Sequence, residues 1–413
     1  MLPTVPFPPI SLDDYREPAG DEAVERLREA ARPLQGARLL QINSTAFGGG
    51  VSELLLTQMG LLRDLGIEAE WRLIEGSDPF FAVTKAVHNG LQGMDVPWTH
   101  DMETTYLDRL RANTPAFPDD HDYVVIHDPQ PCALLALLEE EGRRRGAWIW
   151  RCHIDTSTPT EAIWDFFVPY IDRYDAAVFT AKEYARDGIE GPALAFIPPT
   201  IDPLSAKNGP VDDAKQADVA RRFGVDRNRP IVTQVSRFDP WKDPLGVIDA
   251  FRIVQGSVPD AQLVMIGSMA DDDPEGSEFL SETQRHAGDD PDIHLLTNLD
   301  GVGNAEVNAI QRTSTVIVQK SLREGFGLVV AEGMWKRKPV VGGNVGGIRL
   351  QIDDGTSGYI VDSVEACADR ITHLIRDPDA RARIGEAAHD RVRDHFLTLR
   401  ELEDYLRLMN SLS

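Results

Sequence analysis

Cysteine is scarce in this chain. Three occur in 413 residues, Cys132, Cys152 and Cys367, far apart and in no CxxC pair. That excludes a disulfide framework and a thiolate metal site, and it fits a reducing cytoplasm. Long apolar runs are missing, so no segment has the length to span a membrane. The start, MLPTVPFPPISLDDYREPAG, lacks a basic stretch ahead of an apolar core, and no secretory leader is expected. Positive charge is in deficit as well: 42 Lys and Arg face 67 Asp and Glu, a net charge of −25. This argues against nucleic acid or an anionic membrane as partner. It also singles out any basic residues gathered beside a glycine-rich turn. Neither GxGxxG nor GxxxxGK[ST] occurs, and no His/Cys cluster has metal-ligand spacing.

Hydrophobic residues make up 42% of the chain, enough for globular domains, and the length suits two of them. Short apolar, β-branched runs alternate with helical stretches in two series. The first has strands expected at 37–45, 123–128, 147–155, 175–181 and 193–199. The second has them at 230–238, 261–267, 292–298, 313–321, 338–344 and 358–363. Alternation of this kind implies parallel sheets covered by helices on both faces, hence an α/β chain of two doubly wound, Rossmann-like domains. The proline-rich polar stretch at 197–210 reads as the linker. The expected domains are 1–200 and 211–385, with C-terminal helices at 386–413 crossing back to the first domain. Ligands of such folds bind beyond the carboxyl ends of the strands, and between two facing domains that means a cleft.

Three motifs follow strands. TAFGGGVSELL (45–55) puts Gly48, Gly49 and Gly50 ahead of a helix, where backbone can approach a ligand closely; the plainer reading is a flexible turn. VSRFDPWKDP (235–244) carries Arg237 and Lys242 on a loop stiffened by Pro240 and Pro244. An arginine fork and a lysine point charge together suit phosphate, while a surface ion pair with Asp239 or Asp243 is the plainer alternative. SLREGFGLVVAEG (321–333) runs from a Gly-rich turn into a helix whose N-terminal N–H groups favour an anion, and Glu332 follows Glu324 with seven residues between.

The three motifs together, with HDPQP (127–131), WRCHIDTSTP (150–159), PPTIDPLSAKN (198–208) and QKSLREGFGLVVAEGMWK (319–336), resemble the retaining GT-B glycosyltransferases of the family 4 type, over nearly the whole chain. The resemblance implies a role for each candidate. Arg237 and Lys242 would bind the donor diphosphate. Gly48 to Gly50 would belong to the donor site, and the N–H groups of Gly325, Phe326, Gly327 and Leu328 would receive the donor sugar and distal phosphate. Glu324 would hold hydroxyls of the donor glucose, and Glu332 the nucleotide ribose, since a carboxylate accepts from two vicinal hydroxyls. His153 would face the anomeric carbon. Asp128, Gln130 and Asp155 would serve the acceptor, although Asp128 could equally be a loop cap.

The longer matches resemble a branch that moves glucose from UDP-, ADP- or GDP-glucose to free glucose, giving trehalose with retained configuration. No cofactor or metal held by protein ligands is implied; Mg2+ would act through the nucleotide diphosphate. A homodimer stays open. Another hexosyltransferase, a phosphorylase on the same phosphate site, or a non-enzymatic two-lobed sugar-binding protein are the rival readings.

Overall fold

The computed structural model describes residues 1–46, 50–267 and 274–412. The chain divides into two compact units, Met1–Pro199 with Thr398–Ser413, and Thr200–Leu397. Each is built on one six-stranded parallel sheet with helices around it.

In the first unit the strands are β1 (Arg38–Asn43), β2 (Glu68–Leu73), β3 (Tyr123–His127), β4 (Ala147–Arg151), β5 (Ala176–Phe179) and β6 (Ala193–Phe196). Their order is β2-β1-β3-β4-β5-β6. The inner strands are buried on both faces, with Leu39, Leu40, Ile42, Val125, Ile126, Ile149 and Val178 all in the core. Burial on both faces is what makes them continuous apolar runs in the sequence. β2 is a strand the sequence reading lacks. It lies at the sheet edge, and its Glu68-Ala69-Glu70-Trp71 alternates charged residues with buried ones, so no apolar run announces it.

The second unit has β7 (Ile231–Val235), β8 (Gln262–Gly267), β9 (Ile293–Thr297), β10 (Val316–Gln319), β11 (Val340–Gly343) and β12 (Tyr359–Val361), in the order β12-β11-β10-β7-β8-β9. The helix Pro244–Ser257 buries Val247, Ile248, Phe251 and Val254 in the core of this unit. Topology marks one place in each sheet. β1 lies between β2 and β3, and β7 lies between β8 and β10. At these reversals of strand order the loops beyond the carboxyl ends diverge and leave room for a ligand.

Two sequence expectations need correction. Residues 200–210 are not a free linker. They belong to the second unit, where Asn308 Nδ2 donates to the carbonyls of Ala206 and Gly209 and Lys336 Nζ donates to Asn208 Oδ1. The return to the first unit also begins later than residue 386. The helix Pro378–His395 stays whole within the second unit, and the helix Thr398–Ser411 alone rejoins the first. There its Leu399, Leu402, Tyr405, Leu406 and Met409 pack with Val24, Leu27 and Ala31 of the helix Asp21–Ala31.

Candidate active site

Arg237 and Lys242 lie on the loop beyond β7, and Glu324 on the loop beyond β10, the two neighbouring strands at the reversal. The loops are tied together: Leu322 N donates to Trp241 O at 2.8 Å. Lys242 Nζ donates to Glu324 Oε2 at 2.8 Å, and that oxygen also accepts from Ser321 Oγ at 3.1 Å and Gln319 Nε2 at 3.3 Å. Beside Lys242, Asp243 adopts a left-handed backbone (φ 49°), caps the helix Pro244–Ser257 and pairs with Lys320. This fixes the loop from below. Arg237 is 46% exposed at its side chain and pairs with Asp239 at 2.8 Å. The surface ion pair weighed for Arg237 is therefore present. Asp239 also accepts from Trp241 N, so the same carboxylate shapes the turn that carries Lys242.

The turn after Glu324 opens the helix Leu328–Trp335. Gly327 is its N-cap residue, with φ 82°, and a Cβ there would sit 3.0 Å from Glu324 Cγ. Glycine is thus required twice, by backbone conformation and by closeness to the carboxylate. Phe326 is buried against Phe396, and Gln351 Nε2 holds its carbonyl at 2.6 Å. In the first turn Val330 N donates to Gly327 O at 2.9 Å, and the N–H groups of Leu328 and Val329 come too early to find an acceptor within the helix. Gly325, Gly327 and Leu328 are partly exposed beside Glu324.

Glu332 is not an exposed helix residue. It is 1% exposed and faces Lys207 Nζ at 3.2 Å and Gln311 Nε2 at 3.4 Å. Lys207 is only partly buried, so the pair joins a buried carboxylate to a lysine that reaches the surface, and a carboxylate oxygen can accept more than one hydrogen bond. Lys207 comes from the segment read as a linker, which is why its part was not foreseen.

In the first unit the candidates cluster beyond β3 and β4. Asp128 has φ 64°, and its Oδ1 accepts from His153 N at 2.8 Å. Burial is the main cause that pushes its carboxyl up to about 6, against the opposing pull of the His153 N–H and Arg151. The loop-cap role weighed for Asp128 is therefore real. His153 Nε2 lies 3.0 Å from His127 Nδ1. Burial, then the Arg151 charge, hold His153 well below the usual histidine range, so its ring is neutral. Asp155 is buried, and its Oδ1 accepts from Ser157 N and Oγ at 3.0 and 2.6 Å, which engages one oxygen in its own turn. Gln130 is half-buried on the same loop as Asp128. Gly48 and Gly49 lie outside the described residues; Gly50 opens the helix Gly50–Asp64 beyond β1.

Gln41, His127 and Arg151 had no place in the sequence reading. His127 adjoins Asp128 in HDPQP, but a histidine within an apolar strand looks like core. Among the described residues no group of three or more His, Cys, Asp and Glu is placed to hold a metal ion, and no helix is long and apolar enough to cross a membrane. A cavity of about 490 Å³ is lined by Arg38, Arg63, Glu68, Glu70, Asp120 and His121. Arg38 and Glu68 are the first residues of β1 and β2, so this cavity lies at the wrong end of the sheet for a doubly wound ligand site.

Known proteins bear on this arrangement. The model "Trehalose synthase, N-terminal domain" matches residues 41–186, and "Glycosyl transferases group 1" matches residues 216–391. A trehalose synthase of Rubrobacter xylanophilus is 48% identical over 411 residues, covering 97% of each chain. A trehalose synthase of Thermococcus litoralis is 45% identical over 402 residues, again covering 97% of each. Among solved structures, Anabaena Alr3699/HepE in complex with UDP and glucose superposes with a TM-score of 0.66 at 16% identity, covering 91% of this chain and 100% of that one. At that identity the likeness is one of fold.

Proposed function

The chain belongs to the trehalose synthase family of group 1 glycosyltransferases and has the GT-B fold, and from that premise we propose that it transfers glucose from a nucleoside-diphosphate glucose to free glucose, forming trehalose with retained configuration. The observation that carries this reading is the bond between Lys242 and Glu324 at the mouth of the helix Leu328–Trp335, with half-exposed Arg237 on the same loop. In a protein of net charge −25, a loop bearing two cations is tied to the loop that opens a helix N-terminus, where strand order reverses. That combination suits a diphosphate.

On this reading the donor diphosphate draws Lys242 and Arg237 onto its oxygens, and the first-turn N–H groups take the distal phosphate. These groups stabilise the negative charge that grows as the sugar–phosphate bond breaks, which is electrostatic catalysis by preorganised donors. Glu324, released from Lys242, accepts from sugar hydroxyls. Glu332 accepts from the ribose while Lys207 holds it in place. A neutral His153 suits the side of a sugar on which positive charge develops, because an imidazolium there would repel it. A leaving phosphate oxygen takes the acceptor proton, so the glucosyl group leaves and arrives on one face. Asp128, Gln130 and Asp155 are assigned to the acceptor. Any divalent cation acts through the diphosphate.

Product analysis tests the proposal. The purified chain is given glucose with UDP-, ADP- or GDP-glucose in turn, and separately glucose with glucose 1-phosphate, and maltose alone. Trehalose from at least one nucleotide donor is expected. Trehalose from glucose 1-phosphate only would make the enzyme a phosphorylase, and trehalose from maltose only would make it an isomerase.

A further inference from the structure

Gln41, His127 and His153 form a hydrogen-bonded row in the first unit, and the roles above use only the last. Gln41 Oε1 lies 2.7 Å from His127 Nε2, and His127 Nδ1 lies 3.0 Å from His153 Nε2. The imidazole rings are nearly parallel, 17° apart with centroids 5.3 Å apart. Gln41 sits on β1 and His127 ends β3, adjacent strands of one sheet, and both side chains are buried.

This geometry restricts where the protons can be. An amide oxygen only accepts, so His127 carries a proton on Nε2. A second proton would make His127 cationic. Burial opposes that, and so does the neighbouring Arg151, a wholly buried guanidinium with no hydrogen-bond partner among the described residues at any of its three nitrogens. Neutral His127 then keeps a lone pair on Nδ1. The 3.0 Å contact can be a hydrogen bond only if His153 donates to it from Nε2. His153 is neutral too, so its own Nδ1 is left with a lone pair and no proton.

We propose that Gln41, acting through His127, fixes His153 as the neutral Nε2–H tautomer, so that its Nδ1 can only accept and takes a hydrogen bond from a hydroxyl of the bound sugar. Gln41 and His127 are then positioning residues: they touch no substrate and set what His153 offers to it. Were the glutamine amide reversed, each proton in the row would move to the other nitrogen, and His153 would present an N–H instead. One buried amide thus decides the polarity of a group two residues away. The sugar half of this inference rests on the proposed function; the tautomer half does not.

The test uses the full chain labelled with 15N in histidine and two-bond 1H–15N correlation at neutral pH, with His153 signals identified by their loss in His153→Gln. The expected spectrum has His153 Nε2 protonated and Nδ1 bare. The reverse tautomer, or a doubly protonated ring, would overturn the proposal without any variant. Gln41→Met keeps the size and removes the acceptor. It should give His153 a mixture of tautomers and lower kcat about tenfold, with donor KM held within about twofold, the scale seen for outer partners of a functional histidine. In a His127→Leu background, Gln41→Met should have no further effect on kcat, because the relay is already cut. An unchanged His153 tautomer in Gln41→Met would refute the relay. The expected tautomer in a protein that transfers nothing from nucleotide donors would leave the relay standing and overturn the reaction instead.

Discussion

Lys242 and Glu324 pair across 2.8 Å, and the diphosphate of the proposed reaction would compete for that lysine. Replacing Arg237 or Lys242 by Ala should each lower kcat/KM by about 100-fold or more, the scale of losing one charge-stabilising donor. Glu324→Ala should lower kcat, because the role proposed for it is to hold the sugar whose charge changes. Glu332→Ala should chiefly raise donor KM, since the ribose contact proposed for it would be alike in ground and transition states. Steady-state kinetics on the four variants checks this, and a reversed pattern for the two glutamates would exchange their roles. Asp128 gives a prediction in pH. Its carboxyl is pushed up to about 6 from an ordinary 3.8, so the fold favours the protonated form. The stability this contributes is fully present below about pH 4 and is lost as pH rises through 6. By pH 8 the ionised, partly buried carboxylate costs on the order of 2 kcal/mol. Asparagine tolerates the left-handed backbone there. Asp128→Asn should therefore melt higher than wild type at pH 8 and equal to it near pH 4. Equal melting at both would contradict the burial argument.

The candidate site is built on strand-end loops, and the loops themselves were the part legible in the sequence. VSRFDPWKDP and SLREGFGLVVAEG each show a strand ending in glycine, proline and charge, and the folded loops lie side by side because β7 and β10 are neighbours. Pairing of strands that distant is not written in either loop, so the Lys242–Glu324 bond could not be read from them. β2 was missed because an edge strand need not be apolar throughout. Lys207 was missed because prolines and polar residues around it looked like linker, whereas Asn308 and Lys336 bind that stretch to the unit. Gln41 and His127 were hidden for the opposite reason, as polar residues inside apolar strands. At this scale Gly327 is the sensitive point. Gly327→Ala forces a side chain into φ 82° and against Glu324 Cγ. It should cost about 1–2 kcal/mol, lower Tm by roughly 3–6 °C and reduce kcat through displacement of Glu324. A calorimetric scan with parallel kinetics checks both, and a fully active, equally stable variant would remove Gly327 from the site's framework.

For the whole molecule, the chain builds one unit from residues that begin and end it. Removing residues 398–413 strips Leu399, Leu402, Tyr405, Leu406 and Met409 from the first unit's core. At about 1.5–3 kcal/mol for each buried side chain, that loss rivals the total stability of a domain. Amide exchange should show protection lost across residues 1–199 and kept across 200–397; equal loss in both would contradict the division into units. The activity itself is tested most directly by one labelled turnover. Wild-type enzyme is given the best nucleoside-diphosphate glucose as donor and [1-13C]glucose as acceptor, and the product is read by 13C NMR. The account predicts α,α-trehalose with a single enriched anomeric carbon of α configuration, formed one for one with nucleoside diphosphate. A β-linked product, or trehalose that carries no label from the free glucose, would contradict it.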